Sequence, residues 1–82
     1  MQISLDRIRA AADLVAPHVL KTPTFQLRDD VMLKLESLQR TGSFKVRGFF
    51  AAALSRPRSD LEPGLVTVSA GNAALAAAYV AR

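Results

Sequence analysis

Ile8, Ala11, Ala12 and Val15 recur at i, i+3, i+4 and i+7, one apolar stripe on a helix that Ser4 can cap and that runs to about Val15 or Pro17. Pro17 and Thr22-Pro23 then bring the chain into a turn or extended segment. From Val31 to Glu36 the pattern changes to alternation: Val31, Leu33 and Leu35 share one face, and Met32, Lys34 and Glu36 the other, as in a strand. Residues 37–43 form a polar loop with Gly42 as its permissive hinge. Ser43 caps a second helix to about Leu54, with Val46, Phe49, Phe50 and Ala53 as its buried stripe. Arg56 to Asp60 is a loop and Pro63-Gly64 a turn. Leu65-Val66-Thr67-Val68 reads as a short strand, and Asn72 to Arg82 as an alanine-rich helix whose larger side chains are Leu75, Tyr79 and Val80.

Strand, helix, strand, helix at this spacing predicts an α/β fold: a right-handed βαβα unit with parallel strands, preceded by the N-terminal helix. Ala73, Ala74, Ala76, Ala77 and Ala78 would let the last helix approach its sheet closely. Two parallel strands do not complete a doubly wound sheet. The expectation is therefore a partial sheet in a single domain, 1–82, that forms the front of something larger.

Composition narrows the function classes. A chain of 82 residues permits one small domain, and half of its residues are hydrophobic, so composition does not make it disordered. Without cysteine there are no disulfides and no thiolate metal sites. One histidine, His18, excludes a histidine metal cluster, and its place near the first helix end marks it as a capping or solvated residue. The net charge is +4, but the eleven basic residues are scattered singly and do not interleave with aromatics. That pattern fits a mixed solvated surface better than a nucleic-acid interface. No apolar segment is long enough to span a bilayer and no signal peptide stands at the N-terminus, so the expectation is a soluble, cytoplasmic protein.

Two places carry chemistry. Lys45 sits where the second helix begins, with Phe44 offering a flat apolar surface beside it and Gly48 leaving room one turn on. A lysine attacks an aldehyde only as the neutral amine, and the positive end of a helix, with partial burial, disfavours the ammonium form. Taken alone, Lys45 fits an exposed first-turn lysine better; its neighbours change the reading. The second place is Ser69-Ala70-Gly71-Asn72, where a strand would give way to a helix. Free backbone N–H groups there can bind a carboxylate, and the Asn72 amide can meet a phenolic oxygen; a plain asparagine cap fits as well. Facing each other across adjacent strand ends, the two places suit an aldehyde cofactor. Dinucleotide and phosphate-loop glycine motifs are missing, and no serine has a partner histidine in plausible reach. Glu36, within the strand, reads as structural before it reads as a general base.

With both segments in view, the chain resembles the serine/threonine dehydratase family of fold-type-II pyridoxal-phosphate enzymes. The matching words are Lys21-Thr22-Pro23, Leu33-Lys34-Leu35-Glu36-Ser37-Leu38-Gln39, Thr41-Gly42-Ser43-Phe44-Lys45-Val46-Arg47-Gly48 and Ser69-Ala70-Gly71-Asn72, in family order and spacing. The resemblance implies an incomplete tryptophan-synthase-β-like fold with pyridoxal 5′-phosphate as cofactor. It implies that Lys45 forms the Schiff base and later moves protons at the substrate α-carbon, that Phe44 packs on the cofactor ring, and that Asn72 hydrogen-bonds the ring's 3′-oxygen. Ser69, Ala70, Gly71 and Asn72 would cradle the substrate carboxylate. The family reaction removes water from serine or threonine and yields a 2-oxo acid and ammonia.

Ala73 after Asn72, and the Ala76-Ala77-Ala78-Tyr79 that follows, look more like the serine dehydratase branch. Ala70 stands where the racemase pattern has a proton-donating serine, so elimination is expected over racemisation. The family's glycine-rich phosphate loop would lie beyond residue 82. The resemblance therefore implies an N-terminal piece that lacks dehydratase activity alone and that joins a C-terminal portion or a second copy. Other readings stay open: a threonine synthase, hydroxyaspartate dehydratase or racemase of the same fold type, a non-catalytic remnant that binds a partner through an unpaired sheet edge, or, most distantly, a small basic nucleic-acid binder.

Overall fold

The computed structural model describes residues 2–82. Helix α1 spans Leu5–Val15, and the Ser4 hydroxyl accepts from the Arg7 N–H at 3.2 Å, the N-cap its sequence position predicts. Of the apolar stripe on α1, only Val15 is buried, and Ile8 stays exposed. After Pro17 comes a β-hairpin. Strand β1, Thr24–Arg28, pairs antiparallel with β2, Val31–Lys34, across the Asp29-Asp30 turn. The register sets Phe25 against Leu33 and Gln26 against Met32, with an irregularity between Gln26 and Arg28.

Short 3₁₀ turns at Glu36–Leu38 and Arg40–Gly42 lead into helix α2, Lys45–Leu54. Thr41 and Gly42 both take left-handed backbone angles, φ +67° and +78°, which make the sharp corner before the helix. A short helix α3, Arg58–Leu61, and the Gly64 turn precede helix α4, Asn72–Val80.

The core is helical. Val46 is fully enclosed, and Val15, Phe50 and Ala76 close around it, so α1, α2 and α4 meet at one point. Val46 and Phe50 stand four residues apart and share one face of α2. Val19, Phe49, Ala51, Tyr79 and Val80 pack at the margin. The His18 ring stacks on Phe50 with centroids 4.9 Å apart.

The structure corrects four expectations. The strand at Val31 ends at Lys34, and Glu36 lies in a 3₁₀ turn. Its partner is β1, from the segment read as a turn or extended link, so the sheet among the described residues is two-stranded and antiparallel; the parallel βαβα pairing is not formed there. The cause is local: a two-residue connection brings β1 and β2 together at small loop-closure cost. Leu65–Val68 has no ladder partner and forms no strand, and Val66 and Val68 are each 98% exposed. The alanines of α4 serve a different neighbour: Ala76 lets α4 approach α2 rather than a sheet.

Candidate active site

Lys45 is the first residue of α2. Its backbone N–H donates to the Ser43 hydroxyl at 3.3 Å, but the residue at the helix boundary is Phe44 and α2 has no side-chain cap, so Ser43 is not the N-cap its sequence position predicts. The Lys45 side chain extends over the Phe44 ring, with Nζ 5.4 Å from the ring centroid, a cation–π distance. Both residues are exposed, so the partial burial expected for Lys45 is not seen. Beside them opens a cavity of about 360 Å³ lined by Phe44, Lys45, Gly48, Phe49 and Ala52. Its walls are apolar except for the lysine. A Cβ added at Gly48 would meet nothing within 4 Å, so the floor there is open. One amine at the rim of an apolar slot flanked by two phenyl rings can hold a flat aromatic aldehyde: the rings offer stacking surface and the amine the covalent handle.

The second predicted place is built differently. Asn72 is the first residue of α4 and Gly71 precedes it at the helix boundary. The Gly71 N–H donates to the Ser69 hydroxyl at 3.1 Å, which folds the loop on itself. Ser69, Ala70, Gly71 and Asn72 are all exposed. Asn72 is not among the residues lining the Lys45 cavity. Ser69 lines a separate cavity, with Val66, Ala74 and Ala78, that shares no residue with the first. Lys45, Phe44 and Gly48 thus line one cavity together, and no residue of the Ser69–Asn72 loop lines it with them. What links the two places is the corner before α2, since the Arg40–Gly42 turn packs against α4.

A polar network behind the lysine escaped the sequence reading. Arg47 pairs with Glu36 through a two-pronged contact, Nε to one carboxylate oxygen and Nη2 to the other at 3.2 Å. Nη2 also donates to the Leu20 carbonyl at 3.3 Å, and the Thr22 hydroxyl donates to Glu36. Gln39, almost wholly buried, accepts from the Leu20 N–H and donates to the Leu20 carbonyl, each at 2.8 Å. Lys34 donates to the Thr22 carbonyl. The Arg47 hydrogen bond holds the Glu36 carboxyl down at about 2, against the opposing effect of burial, with Thr22 adding to the lowering. Glu36 in turn raises Arg47. Glu36 is thus a structural carboxylate. The signal was present as opposite charges on either side of a glycine-containing loop, but only the folded corner brings them together.

The family model of the pyridoxal-phosphate dependent enzymes matches residues 15–82. The chain belongs to this family. Pyridoxal phosphate is its cofactor. Among curated relatives, the L-threonine ammonia-lyase of Geobacter sulfurreducens is 47% identical over 51 residues, covering 62% of this chain and 13% of that protein. The L-threo-3-hydroxyaspartate ammonia-lyase of a Pseudomonas species is 38% identical over 79 residues, 88% of this chain and 25% of that protein. The serine racemase of Dictyostelium discoideum is 32% identical over 87 residues, 98% of this chain and 27% of that protein. The chain spans about a quarter or less of the length of these relatives. No solved structure matches it significantly. No helix among the described residues is long and apolar enough to cross a membrane, and none of their side chains cluster as a metal site.

Proposed function

We propose that this chain is the lysine-bearing part of a pyridoxal-phosphate-dependent ammonia-lyase that acts on L-serine or L-threonine. The observation that carries the reading is the Lys45 amine at the rim of the apolar slot formed with Phe44, Gly48 and Phe49. When bound, the cofactor supplies the electron sink for loss of the α-proton. Lys45 holds the cofactor covalently and afterwards moves a proton at the substrate α-carbon. Phe44 stacks on the cofactor ring, and Gly48 leaves the open floor that the ring needs. Asn72 meets the ring oxygen, while the Ser69–Asn72 loop takes the substrate carboxylate at the start of α4. In the same reading Leu65–Val68 becomes a strand of a doubly wound parallel sheet once neighbouring strands of a full-length enzyme flank it, and the cofactor phosphate is bound by residues outside these 82.

The net reaction removes the α-proton and the β-hydroxyl as water, and hydrolysis then gives the 2-oxo acid and ammonia. The relatives named for threonine and hydroxyaspartate elimination support this class. Ala70 has no proton to offer a second face of the α-carbon, which favours elimination over the racemisation named for the third relative. The test follows L-serine and L-threonine in the holoenzyme that carries this chain. Release of pyruvate or 2-oxobutanoate with ammonia supports the reading. Interconversion of L- and D-serine as fast as elimination contradicts it.

A further inference from the structure

The network behind Lys45 is more than an exposed ion pair. Thr22, Gln39 and Ser43 are the polar residues buried among those described, and all three belong to it or to the corner it encloses. A buried polar cluster is costly unless satisfied; Thr22, Gln39 and Ser43 each have partners, in a network that spans three segments, while the buried Thr41 hydroxyl in the corner has none. Leu20 and Thr22 come from the link before β1, Glu36 and Gln39 from the 3₁₀ turns, and Arg47 from α2. Between the tied points Glu36 and Arg47 lies the left-handed corner at Thr41 and Gly42.

We infer that Glu36 and Arg47 are positioning residues for Lys45, fixing the first turn of α2 so that the amine leaves it toward the Phe44–Gly48 slot. The inference rests on the assignment of Lys45 proposed above. Residues two apart on a helix point about 200° apart. Arg47 therefore grips the side of α2 opposite Lys45 and acts through the helix rather than on the cofactor. Its planar fork meets both Glu36 oxygens, which sets the rotation of the helix as well as its distance. The Lys45 amine makes no hydrogen bond or ion pair of its own among the described residues; Phe44 is its aromatic contact. The helix start, with the Phe44 ring at its boundary, is what aims it.

The test traps lysines with pyridoxal phosphate and borohydride and reads each site by peptide mass spectrometry, with helix content followed by circular dichroism. The proteins compared are wild type, Arg47→Ala, Glu36→Gln, Arg47→Lys and, as a destabilised control with the pair intact, Phe50→Ala. Trapping at Lys45 should be faster than at Lys21 in wild type. It should slow about ten-fold or more in Arg47→Ala and Glu36→Gln at unchanged helix content, and recover in part in Arg47→Lys. Folded variants that trap Lys45 at the wild-type rate, or a Phe50→Ala protein that slows as much, overturn the role of the pair. A wild type that traps Lys45 no faster than Lys21 overturns the assignment of Lys45 itself, and is seen before any variant is compared. Should Arg47→Ala unfold, Glu36→Gln and Arg47→Lys, which keep the side-chain bulk, decide between the same outcomes.

Discussion

The ring of Phe50 meets the ring of Tyr79 edge-on, with centroids 6.0 Å apart and planes at 89°. This contact joins α2 to α4 beside the enclosed Val46. Removing the ring takes away its burial and leaves a cavity between the helices. Phe50→Ala should cost about 3 kcal/mol, a large share of the stability of a chain this size. Denaturant unfolding checks it, with a lower midpoint at unchanged slope as the expected result.

Ala76 is the complementary case. It is fully buried where α4 approaches α2. Ala76→Leu should destabilise by about 1–3 kcal/mol despite its greater hydrophobicity, because the added atoms push the helices apart. Equal or higher stability in the same unfolding assay would show that this interface is loose.

Gly42 tests the corner before the lysine. Its φ of +78° disfavours a side chain, although a Cβ there would meet nothing within 4 Å. Gly42→Ala should therefore cost about 1–2 kcal/mol through backbone strain alone. The loss should appear in thermal unfolding without any change in the packing of Val46.

The Glu36–Arg47 pair makes stability depend on acid. Glu36 titrates at about 2 in the folded chain against an ordinary value of 4.5, because Arg47 and Thr22 hold its charged form. A carboxyl lowered on folding contributes stability that is fully present above about 4.5 and is lost as the pH falls through about 2. The melting-temperature gap between wild type and Glu36→Gln should be widest above pH 5 and should close on descent to pH 2. A gap that persists at pH 2 would mean that Glu36 acts through shape rather than charge.

How far the chain could be read from its residues depended on how local each decision was. Helix α1 was legible because Ser4 and the 3.6-residue stripe lie within a few turns of each other. Val46 and Phe50 were legible as core for the same reason. The hairpin was missed: Thr24–Arg28 follows a proline link and alternates weakly, and only its pairing with β2 defines it. Leu65–Val68 shows the converse, since an apolar run of strand length forms no strand without a ladder partner. Near the proposed site, the start of a helix at Lys45 was legible from the Gly42-Ser43 punctuation before it. The Glu36–Arg47 pair was not, because it exists only once the Thr41-Gly42 corner folds the chain back.

The reading proposed above stands on Lys45 as the cofactor lysine. The deciding measurement is the absorbance spectrum after adding pyridoxal phosphate to the full-length enzyme that carries this chain, as wild type and as Lys45→Ala. The wild type should show a shifted imine band that disappears in Lys45→Ala while helix content is unchanged. A band that survives in Lys45→Ala, or that never forms in the folded wild type, would contradict that reading.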